Sequence, residues 1–264
     1  MKALKLSLFS FLIALVSAFT FSSCLDNKDS SNFPMYSMYV TITGDDLFGY
    51  TFYADNGSIL IPTTSSVKEV LPGLSGSNIK RALVSFDLAS ETENNYYLES
   101  GKRYDIILRQ SYYSNYSIPT FSTIDVATHT AALDSLTQNN DEVNNVDKNI
   151  WAINGYVNAS ITLNYDYSRP FYMHTFYDSE KDVNVTNNTL YLNLYYNNNT
   201  TTVSQQGNGV FSFKLPEEIA STFNPNDSVE LVLRAVINNH EQIYSEVGKC
   251  KLTVKDFYTP GLYY

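Results

Sequence analysis

The chain has 264 residues, of which 44% are hydrophobic and 17% charged, a composition that suits one large or two modest folded domains and not a disordered chain. Its formal net charge is −10 and its basic residues do not cluster, so charge-driven recognition of nucleic acid is not expected. The 22 Tyr and 15 Phe residues favour β structure, because aromatic side chains suit a pleated, half-buried sheet surface.

The start of the chain resembles a bacterial lipoprotein signal. Lys2 and Lys5 precede an uncharged apolar run, Leu6 to Phe21, which is about as long as a signal-peptide core and short for a membrane-spanning helix. The Ser-Ser-Cys sequence that ends at Cys24 then resembles a lipobox, with Phe21 in the place of the usual aliphatic residue. A plain secretory signal followed by a chance cysteine is the alternative interpretation.

We therefore predict a signal peptide over residues 1–23, a lipid on Cys24 and a flexible polar tether over residues 24–34. The predicted location is the outer membrane, with the periplasmic or surface-facing orientation left open. Removal of Lys2 and Lys5 with the signal peptide leaves 15 of the 17 basic residues against 27 acidic ones, a net charge of −12.

Alternating apolar and polar residues predict an N-terminal β domain over residues 35–126. The turn sequence Asp55-Asn56-Gly57 separates two of its strands, and a Ser/Thr/Gly/Pro-rich stretch, Pro62 to Ser77, is predicted to be mostly loop. The predicted strands are Met35–Thr43, Phe48–Ala54, Ile59–Ile61, Arg81–Leu88 and Lys102–Gln110.

A polar linker over residues 127–149, with a candidate short helix at Ala131–Leu136, separates this domain from a C-terminal one over residues 150–264. The spacing of strands and turns in the second domain is typical of an antiparallel β-sandwich. Pro216 to Thr222 is its one predicted helix, since Pro and two Glu suit a helix start. Its predicted strands are Ile150–Val157, Ala159–Tyr165, Phe171–Tyr177, Leu190–Tyr196, Gly209–Leu215, Val229–Ile237 and Gln242–Val254.

Several segments in order resemble the NigD-like lipoproteins of Bacteroidetes, over nearly the whole chain. After the lipobox these are Lys80–Leu88, Tyr104–Leu108, Ile150-Trp151, Gly155–Asn158, Leu190–Asn198 and Val210–Leu215. The resemblance implies an all-β protein with a small OB-like barrel followed by an antiparallel β-sandwich. It implies no catalytic residues, because the family has no catalytic motif to carry over.

Residue types that could carry catalysis or bind metal are scattered. His129, His174 and His240 lie far apart without metal-ligand spacing and are expected on the surface or on edge strands, so neither metal nor cofactor is predicted. The acidic stretch Asp178 to Asp182 lacks the glycine and terminal glutamate of a calcium loop. With Cys24 lipidated, Cys250 has no partner within the chain and is expected to pack as an inert thiol, with an intermolecular disulfide as the alternative.

Tyrosine is the residue type that most suggests recognition. Tyr112, Tyr113 and Tyr116 lie in a polar, loop-like stretch, where they are candidate ligand-binding residues, although tyrosines also cover half-buried sheets. Ser135 and Ser228 lie in short Asp-Ser-aliphatic motifs that resemble an O-glycosylation signal of exported Bacteroidetes proteins.

The sequence thus predicts a lipid-anchored, non-enzymatic envelope protein that is monomeric and binds a protein or a glycan, with a bacteriocin-immunity role conceivable from the family's gene context. The alternative is a glycan hydrolase with carboxylates contributed from both domains. Two facing carboxylates in a cleft would favour the hydrolase, whereas a shallow surface with grouped tyrosines would favour the binding protein.

Overall fold

A computed structural model describes residues 36–71, 74, 79–90, 97–110, 116–129, 140–166, 168–199, 205–237 and 243–260. The chain divides into Met1–Pro34 and Met35–Tyr264, and all the described residues belong to the second part. The predicted sites Cys24, Tyr112, Tyr113 and Ser135, together with His240 and the candidate helix at Ala131–Leu136, lie outside the described residues. Within the described part of the chain, no helix is long and apolar enough to cross a membrane.

The first six strands build a small barrel. β1 pairs antiparallel with both β2 and β4, while β3 pairs parallel with β5, so the order β1-β2-β3-β5-β4 closes back on β1. This closure, with a helix between β3 and β4, has the connectivity of a five-stranded OB-like barrel and confirms the predicted fold class. The elements are β1 (Tyr36–Asp45), β2 (Gly49–Ala54), β3 (Ile59–Pro62), α1 (Thr64–Val70), β4 (Arg81–Leu88), β5 (Arg103–Leu108) and β6 (Tyr116–Ser117).

Helix α1 corrects the prediction of loop over Pro62 to Ser77. Five of its seven residues are Thr, Ser or Val, which are weak helix formers, so local propensity does not reveal it. Val67 and Leu71 are 3% and 6% exposed and pack with Leu74 into the barrel core. Burial of one apolar face therefore decides the helix, as is usual for short helices.

The remaining strands form two sheets packed face to face. One sheet has the order β10-β11-β15-β7 with β9 on β11, and the other has the order β17-β16-β14-β12-β8 with β13 on β14. The elements are β7 (Thr120–Phe121), β8 (Thr123–Asp125), β9 (Asn145–Val146), β10 (Trp151–Ile153), β11 (Tyr156–Tyr165), β12 (Tyr172–Tyr177), β13 (Val183–Asn184), β14 (Thr189–Asn197), β15 (Gln205–Lys214), β16 (Ser228–Val236) and β17 (Tyr244–Thr253).

The chain enters the sandwich earlier than the predicted boundary after residue 126. β7 pairs parallel with β15, and β8 pairs parallel with β12, so residues 120–125 belong to the sandwich sheets. Phe121 packs on Phe213 with ring centroids 5.8 Å apart. Strands of two or three residues show no measurable alternation, which is why the sequence pattern does not reveal them.

The predicted helix at Pro216–Thr222 is a 3-10 helix over Glu217–Thr222, and a second 3-10 helix covers Val254–Phe257. The predicted single strand Ile150–Val157 is a hairpin of β10 and β11. Its turn residues Asn154 and Gly155 have φ values of 55° and 82°, the left-handed pair that a tight hairpin turn requires.

Candidate functional site

The barrel and the sandwich meet at a polar seam centred on Arg81. Arg81 begins β4, and its pairing with Thr41 of β1 places both side chains on the outer face of the barrel. The Arg81 side chain is fully buried, and the side chain of Asp55, just after β2, is 15% exposed. Nη1 and Nη2 of Arg81 donate to the two carboxylate oxygens of Asp55 at 2.6 Å and 2.7 Å, a bidentate ion pair.

The sandwich completes this network. Nη2 of Arg81 also donates to Oδ1 of Asn158 on β11 at 2.9 Å, and Nη1 donates to the Thr41 hydroxyl at 3.0 Å. The indole N–H of Trp151 on β10 donates to Oδ2 of Asp55 at 2.6 Å. We call Thr41, Asp55, Arg81, Trp151 and Asn158 the seam network. Because the barrel and the sandwich both contribute hydrogen-bonding side chains, the network fixes the barrel against the sandwich.

Neighbouring groups support the seam network from the sandwich side. The Asn158 amide donates to the Trp151 carbonyl at 3.2 Å, and its Oδ1 accepts from the Ser212 hydroxyl at 2.6 Å. The Arg81 guanidinium lies over the Tyr156 ring, 5.8 Å from its centroid. Burial raises the pKa of Tyr156, so its phenol stays protonated and its ring faces the cation as a neutral aromatic.

An aromatic group lies on the barrel surface beside the seam network. Tyr39 of β1 packs on Trp151 with ring centroids 5.4 Å apart. Tyr39 and Tyr116 both pair with Leu83 of β4, from either side, so the two tyrosines share one face of the sheet. Burial, the charge of Tyr116 and a hydrogen bond with it raise the pKa of Tyr39. We call Tyr39, Tyr116 and Trp151 the aromatic group.

Tyr116 is the predicted ligand-binding residue that the structure describes, and it is 46% exposed. The structure brings it together with Tyr39 and Trp151, which the sequence analysis did not single out for binding. The other described prediction, Ser228, is exposed at the start of β16. Its hydroxyl is accessible for O-glycosylation, which stays a prediction.

A cleft of about 750 Å³ opens between the barrel and the sandwich, next to Asp55. Asn56 and Ser100 of the barrel line it on one side. Ile153, Val254 and Asp256 of the sandwich line it on the other. Two of its polar side chains, Asn56 and Asp256, have partners within the protein. Asn56 donates to the Leu98 carbonyl at 3.1 Å, and Asp256 accepts from the backbone N–H and hydroxyl of Thr253, both at 2.7 Å.

The β10–β11 turn forms part of this boundary. The Gly155 N–H donates to the Asp256 carbonyl at 2.9 Å, and the Gly155 carbonyl accepts from the Leu215 N–H at 2.8 Å. A side chain at Gly155 would lie 2.7 Å from the Thr259 hydroxyl. The Gly-Tyr-Val-Asn segment quoted for the family resemblance is therefore placed at the seam, where it serves packing.

Among the residues that the structure covers, no group of three or more His, Cys, Asp or Glu side chains is placed so that it could hold a metal ion. The Asp178–Asp182 carboxylates serve the loop itself: Asp182 accepts from the Asp178 N–H at 3.0 Å, and Asp178 pairs with Lys181 at 2.5 Å.

The described histidines differ from each other. His129 is exposed as expected, whereas His174 lies in β12, between β14 and β8, and stacks on Tyr195 with ring centroids 4.5 Å apart. The expectation of a surface or edge position is therefore wrong for His174, because the parallel addition of β8 makes β12 an inner strand. Burial lowers the pKa of His174 to about 4.

Sequence reasoning missed the seam network. Its signals were present as the chain's one tryptophan and an arginine at the start of an apolar strand. Neither signal identifies the residues that these side chains contact. Arg81 and Asn158, for example, are 77 positions apart, and local sequence patterns do not predict contacts over that separation.

Known proteins resemble this chain in its sandwich domain and in its overall fold. Residues 125–247 match the family model of the NigD-like C-terminal beta sandwich domain. No curated protein matches the chain by sequence.

Solved structures share the fold across both the barrel and the sandwich. A NigD-like immunity protein from Bacteroides caccae is 16% identical, with a TM-score of 0.54 over 83% of this chain and 97% of that one. A toxin-related protein from Parabacteroides distasonis is 16% identical, with a TM-score of 0.55 over 84% and 94%. A protein from Parabacteroides merdae is 9% identical, with a TM-score of 0.56 over 83% and 99%. At these identities the likeness concerns the fold.

The OB-like barrel, the sandwich and the family match at residues 125–247 together confirm the resemblance drawn from the sequence. Residues 125–247 of the chain thus form a NigD-like C-terminal beta sandwich domain.

Proposed function

We propose that this protein is a lipid-anchored, monomeric, non-catalytic binding protein of the cell envelope, and that the aromatic group of Tyr39, Tyr116 and Trp151 is its recognition surface. The observation that carries the proposal is the grouping of these three side chains on one partly exposed face beside the seam network. Tyr and Trp combine a large apolar ring with a polar tip, and they dominate binding energy at protein interfaces.

The seam network supports this role by holding the surface in place. Trp151 is fixed through its indole N–H on Asp55, and Asp55 is held in turn by Arg81. A side chain that is ordered before binding loses less conformational entropy when a ligand arrives. The buried polar network therefore favours a recognition surface that is already formed in the free protein.

The contacts in the interdomain cleft favour binding over hydrolysis. A glycoside hydrolase needs one carboxyl group to donate a proton and a second to act as base or nucleophile. Asp55 accepts hydrogen bonds from Arg81 and Trp151, and Asp256 caps the 3-10 helix at Val254–Phe257. Both carboxylates of this cleft thus have structural partners.

The names of two structurally similar proteins favour a protein ligand over a glycan. One is a NigD-like immunity protein and the other is described as toxin-related. Some immunity proteins bind a protein toxin directly, as in the colicin DNase–immunity protein pairs, so an immunity-type role of that kind would place a protein on the aromatic group. We take a protein ligand as the leading case and a glycan as the alternative that the experiment must distinguish.

The binding proposal is tested with the mature protein immobilised and exposed to envelope extract. The Tyr116→Ser variant removes an exposed ring from the aromatic group, and Tyr172→Ser removes a ring that is 56% exposed on β12 of the sandwich. We expect a ligand retained by the wild type and by Tyr172→Ser, lost from Tyr116→Ser, and released by protease treatment. Release by glycosidase would indicate a glycan, and equal retention by all three proteins would contradict the assigned surface.

The membrane anchor is tested separately. Cys24→Ala removes the thioether site, so the protein should leave the membrane fraction and should no longer incorporate labelled fatty acid. Retention in the membrane fraction with unchanged labelling would contradict the lipid on Cys24.

A further inference from the structure

The β1–β2 hairpin tip exposes two large apolar side chains in a defined conformation. Leu47 and Phe48 are 82% and 87% exposed. They lie between the paired residues Asp45 and Gly49. Exposed apolar side chains occur singly on many proteins, but two adjacent ones at the end of an ordered hairpin present a protruding apolar patch.

The backbone holds this tip through specific contacts. Oδ1 of Asp45 accepts from the backbone N–H groups of Leu47 and Phe48, both at 2.8 Å. Gly44 has a φ of 91°, and a side chain there would lie 2.1 Å from the Gly49 carbonyl oxygen. The turn is therefore specified by an aspartate that caps two N–H groups and a glycine that no other residue can replace without strain.

A small cavity with a mixed polar and apolar lining lies next to the tip. It has a volume of about 330 Å³ and lies against Leu47, with Ile42, Leu74 and Ile79 among its lining residues. Lys80 is the one positive side chain among the described residues that line it. Leu47 thus belongs both to the protruding pair with Phe48 and to the lining of the recess beside it.

The charges around the patch identify the chemistry of its partner. Asp45 and Asp46 immediately precede Leu47, and both are exposed. The whole chain carries a formal charge of −10. A partner therefore gains affinity and orientation if Lys or Arg side chains surround the pocket that receives the two apolar residues.

We propose that the β1–β2 tip is a docking element that inserts Leu47 and Phe48 into an apolar pocket, rimmed by Lys or Arg, on a protein partner. A bilayer is disfavoured as the occupant, because anionic headgroups would repel Asp45 and Asp46. The tip is separate from the aromatic group, since Tyr39 and Gly44 are about 17 Å apart along β1. It is therefore a second interaction surface that can fail or succeed independently of the first.

The test places the photo-crosslinking residue p-benzoylphenylalanine at Phe48 in the full-length protein in living cells. The matched control carries it at Val185, another exposed apolar position, which is 52% exposed and lies on the sandwich after β13. We expect a discrete protein adduct from position 48 and none of that size from position 185. Mass spectrometry should place the crosslinked partner peptide beside Lys or Arg residues.

Two variants in the crosslinking protein test the charge argument. The Tyr50 hydroxyl donates to Oδ1 of Asp46 at 3.0 Å, so Asp46→Asn keeps an acceptor there while it removes the charge. Asp46→Lys reverses the charge. We expect the adduct yield to fall by about fivefold or more in Asp46→Lys and by less in Asp46→Asn. A yield that is unchanged in Asp46→Lys would overturn the proposal.

Other occupants give distinct results. Vesicles of phosphatidylethanolamine and phosphatidylglycerol are mixed with protein that begins at Leu25, with and without Phe48→Ser. Binding that depends on Phe48 would assign the tip to the membrane and overturn the proposal. An adduct of the chain with a second copy of itself would overturn it as well, and so would the absence of any adduct at position 48. Thermal melting of each variant checks that these solvent-exposed substitutions leave the fold intact.

Discussion

The indole N–H of Trp151 donates to Oδ2 of Asp55 across the seam, at 2.6 Å, while Arg81 occupies both oxygens of the same carboxylate. One barrel carboxylate therefore connects the barrel's buried arginine to the sandwich's first hairpin. Because Trp151 also forms part of the aromatic group, the contacts that stabilise the seam are the ones that position the proposed recognition surface.

Arg81→Met should destabilise the protein by about 3–5 kcal/mol, because it leaves Asp55 largely buried without its cation. Urea unfolding followed by circular dichroism measures this loss, and the fluorescence of Trp151, the chain's one tryptophan, reports the seam directly. The control is Arg109→Met, which breaks an ion pair with Asp87 whose side chains are 52% and 30% exposed. That variant should lose about 1 kcal/mol or less. Equal losses in the two variants would show that the seam pair contributes no more than a surface pair.

Gly155→Ala should destabilise the protein by about 1–3 kcal/mol more than Gly101→Ala, measured as the difference in free energy of unfolding. Both glycines have positive φ, 82° and 77°, so both substitutions strain the backbone. Only at Gly155 would the new methyl group also meet Thr259, at 2.7 Å from its hydroxyl and 2.9 Å from its backbone nitrogen, whereas nothing lies within 4 Å at Gly101. Similar losses would mean that Thr259 moves away without cost.

Cys250 should resist thiol reagents in the folded protein. Burial, with a smaller effect of Asp256, raises the pKa of its thiol to about 12, so almost none of the reactive thiolate is present at pH 8. In protein that begins at Leu25, iodoacetamide should label Cys250 rapidly in urea and at least about a hundredfold more slowly in native buffer. Rapid labelling of the native protein would contradict the inert packing expected from the sequence.

Stability should fall as the pH is lowered from about 6.5 to about 4. Burial lowers the pKa of His174 to about 4 in the folded protein, whereas the unfolded chain takes up the proton near pH 6.5. The unfolded state therefore binds more protons in this range, and the neutral imidazole's contribution, present above pH 6.5, is lost as the pH falls. We expect a loss of about 1–2 kcal/mol after allowing for solvent screening of a partly exposed ring.

Urea unfolding at a series of pH values measures the His174 effect. His174→Phe keeps an aromatic ring against Tyr195 and should flatten the curve between pH 4 and 6.5. His129→Phe, at an exposed position, should leave the curve unchanged. A curve for His174→Phe that matches the wild type would assign the pH dependence to other groups.

Much of the local structure could be read from the sequence. Alternation identified strands such as β4 and β5, because one face of each is buried in the barrel core. The Asp55-Asn56-Gly57 turn was also predictable, since Gly57 has a φ of 86° and the Ala54 N–H donates to the Ser58 carbonyl at 2.9 Å. The predicted all-β class with a barrel and a sandwich is confirmed.

The sequence by itself determined the longer strands and the turns between them, because alternation and turn chemistry act over a few neighbouring residues. Tertiary structure alone decided how the strands pair, as in the parallel pairing of β3 with β5 that closes the barrel. It also decided helix α1, which depends on the burial of Val67, and the seam network. Arg81, Asp55 and Asn158 look like ordinary polar residues in the sequence, and they acquire their roles only when burial removes water and leaves each as a hydrogen-bond partner of another.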